Sequence, residues 1–145
     1  MKNKLEVYRV LIVVALLLQA FIEVLFFSGA AFPDGAVELQ KWQAFGAVTS
    51  YETAVFFYYS WVVTYFVGLI GMFLYWWPAK MIIIVNMVLL VVLCATNGIF
   101  IATAFESTLM SISNIFFIFS VGMAFFSPPV LVMFRKNRGV ITEFA

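Results

Sequence analysis

Few side chains in this sequence can do chemistry, and those few sit in apolar surroundings. Glu23 is the only charge in a long hydrophobic run, and Gln19 precedes it by one helical turn, so the two share a helix face. Asn86 and Asn97, eleven residues apart and so almost three helical turns, share a face of a later run, and Asn114 opens the last one. A carboxylate within a bilayer costs about 2.5–3.5 kcal/mol on insertion scales, which marks it as a functional site by default. No Lys or Arg lies in any of these runs. Glu23 must therefore be neutral, hydrogen-bonded to Gln19 or Asn97, reached by water, or paired with a cation from elsewhere. A structural acid, a proton- or cation-coupling group and a ligand contact all use these residue types.

The missing residues narrow the chemistry further. The chain has no His and one Cys, Cys94, so haem held by His and zinc or iron–sulfur sites of the usual kinds lack their ligands. No nucleophile–base spacing stands out, and neither an enzyme, a metal site nor a cofactor is expected. Tyr51, Tyr58, Tyr59 and Tyr65, with Phe56, Phe57 and Trp61, make one run strongly aromatic, as in a belt facing lipid. A net charge of +1 offers no basic surface for a phosphate backbone, which removes nucleic acid as a partner.

These groups are positioned by membrane-spanning helices. Of 145 residues, 66% are hydrophobic and 10% charged, whereas soluble domains carry about 45–50% and about 25%. Charge-poor runs at about 10–31, 54–77, 81–105 and 110–134 each reach the roughly 20 residues that cross a hydrocarbon core. Four spans cannot close a barrel, so the fold class is an all-α integral membrane protein, one four-helix antiparallel bundle over 1–145. The first run exceeds a signal peptide's apolar region and carries Gln19 and Glu23, so it reads as a retained anchor. With both termini and the hairpin between spans two and three inside, Lys2, Lys4, Arg9, Lys80, Arg135, Lys136 and Arg138 are cytoplasmic and only Lys41 is outside. Trp76 and Trp77 then fall at the inner interface.

The connections are uneven. The hairpin around Pro78 to Lys80 and the turn around Glu106 are short, which predicts that helices two, three and four are antiparallel neighbours. The first outer loop, from Phe32 to Thr53, is long and opens with Pro33, Asp34 and Gly35. Within it Leu39, Trp42 and Phe45 or Gly46 recur at helical spacing opposite Glu38, Gln40, Lys41 and Gln43, predicting a short amphipathic helix on the outer surface.

Small residues predict where helices meet. Ser60, Thr64, Gly68 and Gly71 fall on one face of the second span, and Ser113, Ser120 and Ser127, with Ala124, on one face of the fourth. Pro128 and Pro129 withdraw the bonds to the carbonyls of Ala124 and Phe125, predicting a kink or an early helix exit.

A glutamate in the first of four short helices resembles small multidrug-resistance transporters in architecture, and the helix count resembles DoxX-like membrane proteins. The long outer loop departs from the former, neither family supplies a residue-by-residue motif, and architecture alone does not carry function. The expectation is a non-catalytic binding or assembly subunit of a bacterial inner (plasma) membrane, lying in the lipid bilayer and holding a membrane partner, a lipid or its own copies. The alternative is a small oligomeric proton- or cation-coupled transporter or channel using Glu23.

Overall fold

The computed structural model describes residues 2–28, 51–96 and 104–142. Its helices in chain order are α1 (Lys2–Ser28), α2 (Tyr51–Phe73), α3 (Ala79–Thr96), α4 (Ala104–Phe126) and α5 (Pro128–Thr142). Asn97 and the expected outer amphipathic helix lie outside the described residues.

Three helices are long and apolar enough to cross a membrane, at Asn3–Leu25, Val55–Phe73 and Ser107–Phe126. The four-span expectation holds only in that coarser form. The described apolar part of α3 is the shorter Ala79–Cys94, which at 1.5 Å per residue falls short of a core of about 30 Å. The expected fourth run is also not one helix. It breaks at Ser127, because Pro128 and Pro129 have no N–H to continue the ladder. The Ser127 carbonyl instead accepts from Val130 at 3.1 Å and Leu131 at 3.0 Å, which starts α5 with both prolines in its first turn.

The helices are polar inward and apolar outward. On α1 the buried positions are Tyr8, Ile12, Ala15, Gln19, Ile22 and Glu23, while Val10, Leu17, Phe21 and Val24 are exposed. On α4, Ser113, Phe117, Ser120 and Ala124 are buried while Ile115, Ile118 and Phe119 are exposed. A soluble bundle would place its polar residues outside. This reversed pattern suits an integral, multi-pass protein in which lipid is the outer solvent.

α1 packs chiefly on α4, and α2 on α3; α1 also meets α2, and α5 folds against α1 and α4. Glu23 meets Tyr58 and Tyr8 meets Met72, while Gln19 meets Ser113 and Lys4 shares a groove with Gly122 and Phe126, so α1 runs antiparallel to both α2 and α4. The expected pairing of the third and fourth helices is corrected: among the described residues α3 and α4 share no extended contact. Small-residue faces choose the partners instead of loop length. A Cβ on Gly68 would meet Ile83 Cδ1 at 2.5 Å, and one on Gly71 would meet Ala79 Cβ at 2.7 Å, so α3 lies directly against the α2 backbone. The hydroxyls beside them return to their own helix, Ser60 to the Phe56 carbonyl at 2.8 Å and Thr64 to that of Ser60 at 2.9 Å. This satisfies them without adding bulk.

The hairpin end is closed by a C-terminal cap on α2. Trp76 N–H donates to the Gly71 carbonyl at 2.7 Å and Tyr75 N–H to that of Met72 at 3.1 Å, the bond pair of a Schellman motif. Its left-handed position is held by Tyr75, with φ of 54°, where glycine is usual. The Tyr75 ring is buried against Tyr8 at 5.7 Å and Phe134 at 5.6 Å. Side chains from other helices also reach carbonyls of this turn: Tyr8 Oη donates to that of Met72 at 3.2 Å and Asn137 Nδ2 to that of Leu74 at 3.1 Å.

Candidate functional site

The polar residues of α1, α2 and α4 join in one buried cluster. Gln19 Nε2 donates to Glu23 Oε1 at 2.8 Å, as the one-turn spacing allows. Tyr58 of α2 donates its hydroxyl to Glu23 Oε2 at 2.5 Å. On the other side of Gln19, Ser113 of α4 donates to its Oε1 at 3.5 Å, and the Tyr65 hydroxyl lies 3.4 Å from the Ser113 oxygen. Tyr58, Glu23, Gln19, Ser113 and Tyr65 thus form one chain of polar groups across three helices. Glu23 is 8% exposed, Gln19 5% and Ser113 fully buried.

The local sequence explains the convergence. Tyr58 and Tyr65 are two turns apart and share a face of α2, with Trp61 between them at 6.3 Å and 5.7 Å between ring centroids. Tyr65 stacks on Phe117 of α4 at 5.0 Å, which holds its hydroxyl at Ser113. The aromatic run is therefore only partly lipid-facing: Phe56 and Tyr59 are exposed, whereas Tyr65 is buried and Tyr58 half-buried. Tyr58 is the site residue that composition alone misses. The available signal was its hydroxyl, since a phenol turned into an apolar bundle requires a partner.

Chemically, two neutral donors converge on one carboxyl group. As an anion Glu23 accepts from both. As an acid it can return its proton toward the Tyr58 oxygen. The cluster can therefore hold three helices in register, or hold a proton where α1 and α2 meet.

The remaining predicted polar residues separate. Asn86 belongs to the α2–α3 contact, where its Nδ2 donates to the Trp61 carbonyl at 2.7 Å and to Thr64 Oγ1 at 3.0 Å. Asn114 is exposed. Ser120 is buried beside Ala124 and donates to the Phe116 carbonyl at 2.8 Å, whereas Ser127 occupies the helix break. Trp61 Nε1 is buried and has no hydrogen-bond partner among the described residues. Cys94 is a free, exposed thiol on α3. No group of three or more His, Cys, Asp or Glu suited to a metal ion occurs among the described residues.

At the hairpin end the cations are placed over rings. Lys80 Nζ lies 4.5 Å from the Phe134 centroid, 5.1 Å from that of Phe125 and 5.4 Å from that of Trp77. Arg9 lies over Phe73 at 5.5 Å and Tyr75 at 5.4 Å. The first turns of α1, the hairpin and α5 therefore gather at one end, opposite the Glu23 cluster. Comparison with known protein families, curated proteins and solved structures gives no match for this chain.

Proposed function

We propose that this small multi-pass membrane protein is a non-catalytic binding or assembly subunit for a membrane partner or for its own copies. The observation that carries the reading is the position of α3. It packs chiefly on α2, with Lys80 at its start reaching Phe125 and Phe134, and turns Ile84, Val85, Met87, Val88 and Val91 outward, which leaves a long apolar helix face with no partner helix among the described residues. The Glu23 cluster fits the same reading, because its donors and acceptors are spent on joining α1, α2 and α4. In this proposal the chain crosses the membrane four times. The membrane is of the bacterial inner (plasma) type, and both termini face the cytoplasm. Arg9, Lys80, Arg135 and Lys136 lie toward the hairpin end, which supports that orientation.

A photo-crosslinking residue at Val88, in native membranes, tests the role. One defined protein adduct, either a partner or a second copy, is expected from position 88 and not from the exposed Val13 of α1. Adducts to lipid alone from position 88 would reject it.

A second reading, a proton- or cation-coupled transporter or channel, is favoured by the hydroxyl-linked carboxyl group of Glu23. It predicts pH-dependent flux in proteoliposomes that Glu23→Gln abolishes while the folded protein survives. Absence of flux from the parent protein would reject this second reading.

A further inference from the structure

We infer that the groove between α1 and α4, beside the helix break at Ser127, binds an anionic phospholipid, with its phosphate on Lys4 and an acyl chain along Gly122. The groove is an open-sided cavity of about 520 Å³ whose lining includes Lys4, Phe119, Gly122, Phe126, Ser127 and Pro128. Its walls are mainly apolar, and among the described residues Lys4 is the only charge in the lining.

Gly122 is unlike the two glycines of α2. A Cβ at Gly68 or Gly71 would strike α3 or the hairpin, whereas one at Gly122 meets nothing within 4 Å. This glycine makes no close helix contact and leaves the groove floor open. Lys4 is equally distinct from its neighbours. Arg9 and Lys80 lie over aromatic rings, while Lys4 is exposed and has no hydrogen bond or ring contact among the described residues. Glu6, two residues on, projects from a different side of α1 and does not neutralise it.

Depth sets the kind of occupant. Lys4 lies 21 residues from Leu25, near the far end of the apolar stretch of α1, which is about 32 Å at 1.5 Å per residue and matches a hydrocarbon core of about 30 Å. The ammonium group is thus at headgroup level, and the groove runs inward from it past Phe126 toward Phe119. A cation at the interface above an apolar channel complements a lipid phosphate above its acyl chain. The inference rests on the membrane-spanning character of the helices and is independent of any assembly role.

Native mass spectrometry of the full chain, released from mixed phosphatidylglycerol and phosphatidylcholine micelles, tests it. The parent protein should retain phosphatidylglycerol in preference to phosphatidylcholine. Lys4→Gln should lower that preference about fivefold, the factor equivalent to about 1 kcal/mol for one interfacial basic residue, and Lys4→Arg should keep it. Gly122→Phe, which fills open space, should displace the retained lipid of either kind. Lys136→Gln removes an exposed charge that does not line the groove and should change nothing. Equal retention of the two lipids by the parent would overturn the inference. So would a Lys136→Gln effect as large as that of Lys4→Gln, or a Gly122→Phe variant that keeps its lipid.

Discussion

Tyr58 on α2 and Glu23 on α1, 35 residues apart in the chain, share a hydrogen bond of 2.5 Å between the phenol hydroxyl and carboxyl Oε2. It ties the two helices together at the end opposite the hairpin. Because Gln19 occupies the other carboxyl oxygen, loss of the phenol leaves a buried acceptor without its donor. Tyr58→Phe should destabilise the fold by about 1–3 kcal/mol. Glu23→Gln should cost less, because an amide can still accept from Tyr58. Unfolding of Tyr58→Phe, Glu23→Gln, Glu23→Ala and the Tyr58→Phe/Glu23→Ala double variant in one detergent checks this, and a coupling energy near zero in the alanine cycle would show that the bond does not hold α1 to α2.

The glycines of α2 and α4 should rank by what a methyl group meets. At Gly71 it meets Ala79 Cβ, which is rigidly attached to the α3 backbone, so Gly71→Ala should cost about 1–3 kcal/mol through overpacking. At Gly68 the nearest atom is the movable end of Ile83, so Gly68→Ala should cost less, while Gly68→Leu should separate α2 from α3 and lower folded yield. Gly122→Ala should be neutral, or stabilising by up to about 1 kcal/mol, from helix propensity. Melting temperatures of the alanine series test the order; equal values at 71 and 122 would mean that α2 and α3 do not pack this closely.

At Tyr75 two effects oppose each other. Glycine there would relieve the left-handed backbone by about 1–2 kcal/mol but would remove a buried ring, and truncating a large aromatic side chain costs about 3–5 kcal/mol. Tyr75→Gly should therefore be destabilising by about 2 kcal/mol, and Tyr75→Phe should be nearly neutral because both ring contacts remain. Equilibrium unfolding of both variants is the measurement; a glycine variant more stable than its parent would mean that backbone strain outweighs the packing.

Orientation is testable with single cysteines in a Cys94→Ala background. An impermeant maleimide should label position 41 on intact cells and position 136 only after permeabilisation, as the distribution of basic residues requires. The opposite pattern would invert the proposed topology.

The sequence by itself determined the solvent and the element type. The density of Val, Ile, Leu and Phe, in long runs where Glu23 is the only charge, leaves membrane-crossing helices as the way to satisfy the backbone. Local spacing was also enough for the Gln19–Glu23 pair, the small-residue face of α2 and the proline break after α4, because each depends only on residues within a few turns. Partner choice was decided at the tertiary level. Hairpin length suggested that consecutive helices would pair, yet α4 chose α1, because Ser113, Ser120 and Ala124 form a buried face with room for a neighbouring backbone. The inward turn of Tyr58 and Tyr65 was likewise invisible in composition. An aromatic residue with a polar tip suits both a lipid interface and a buried hydrogen bond, and only the approach of α1 and α4, which brought Glu23 and Ser113 within reach, selected the second.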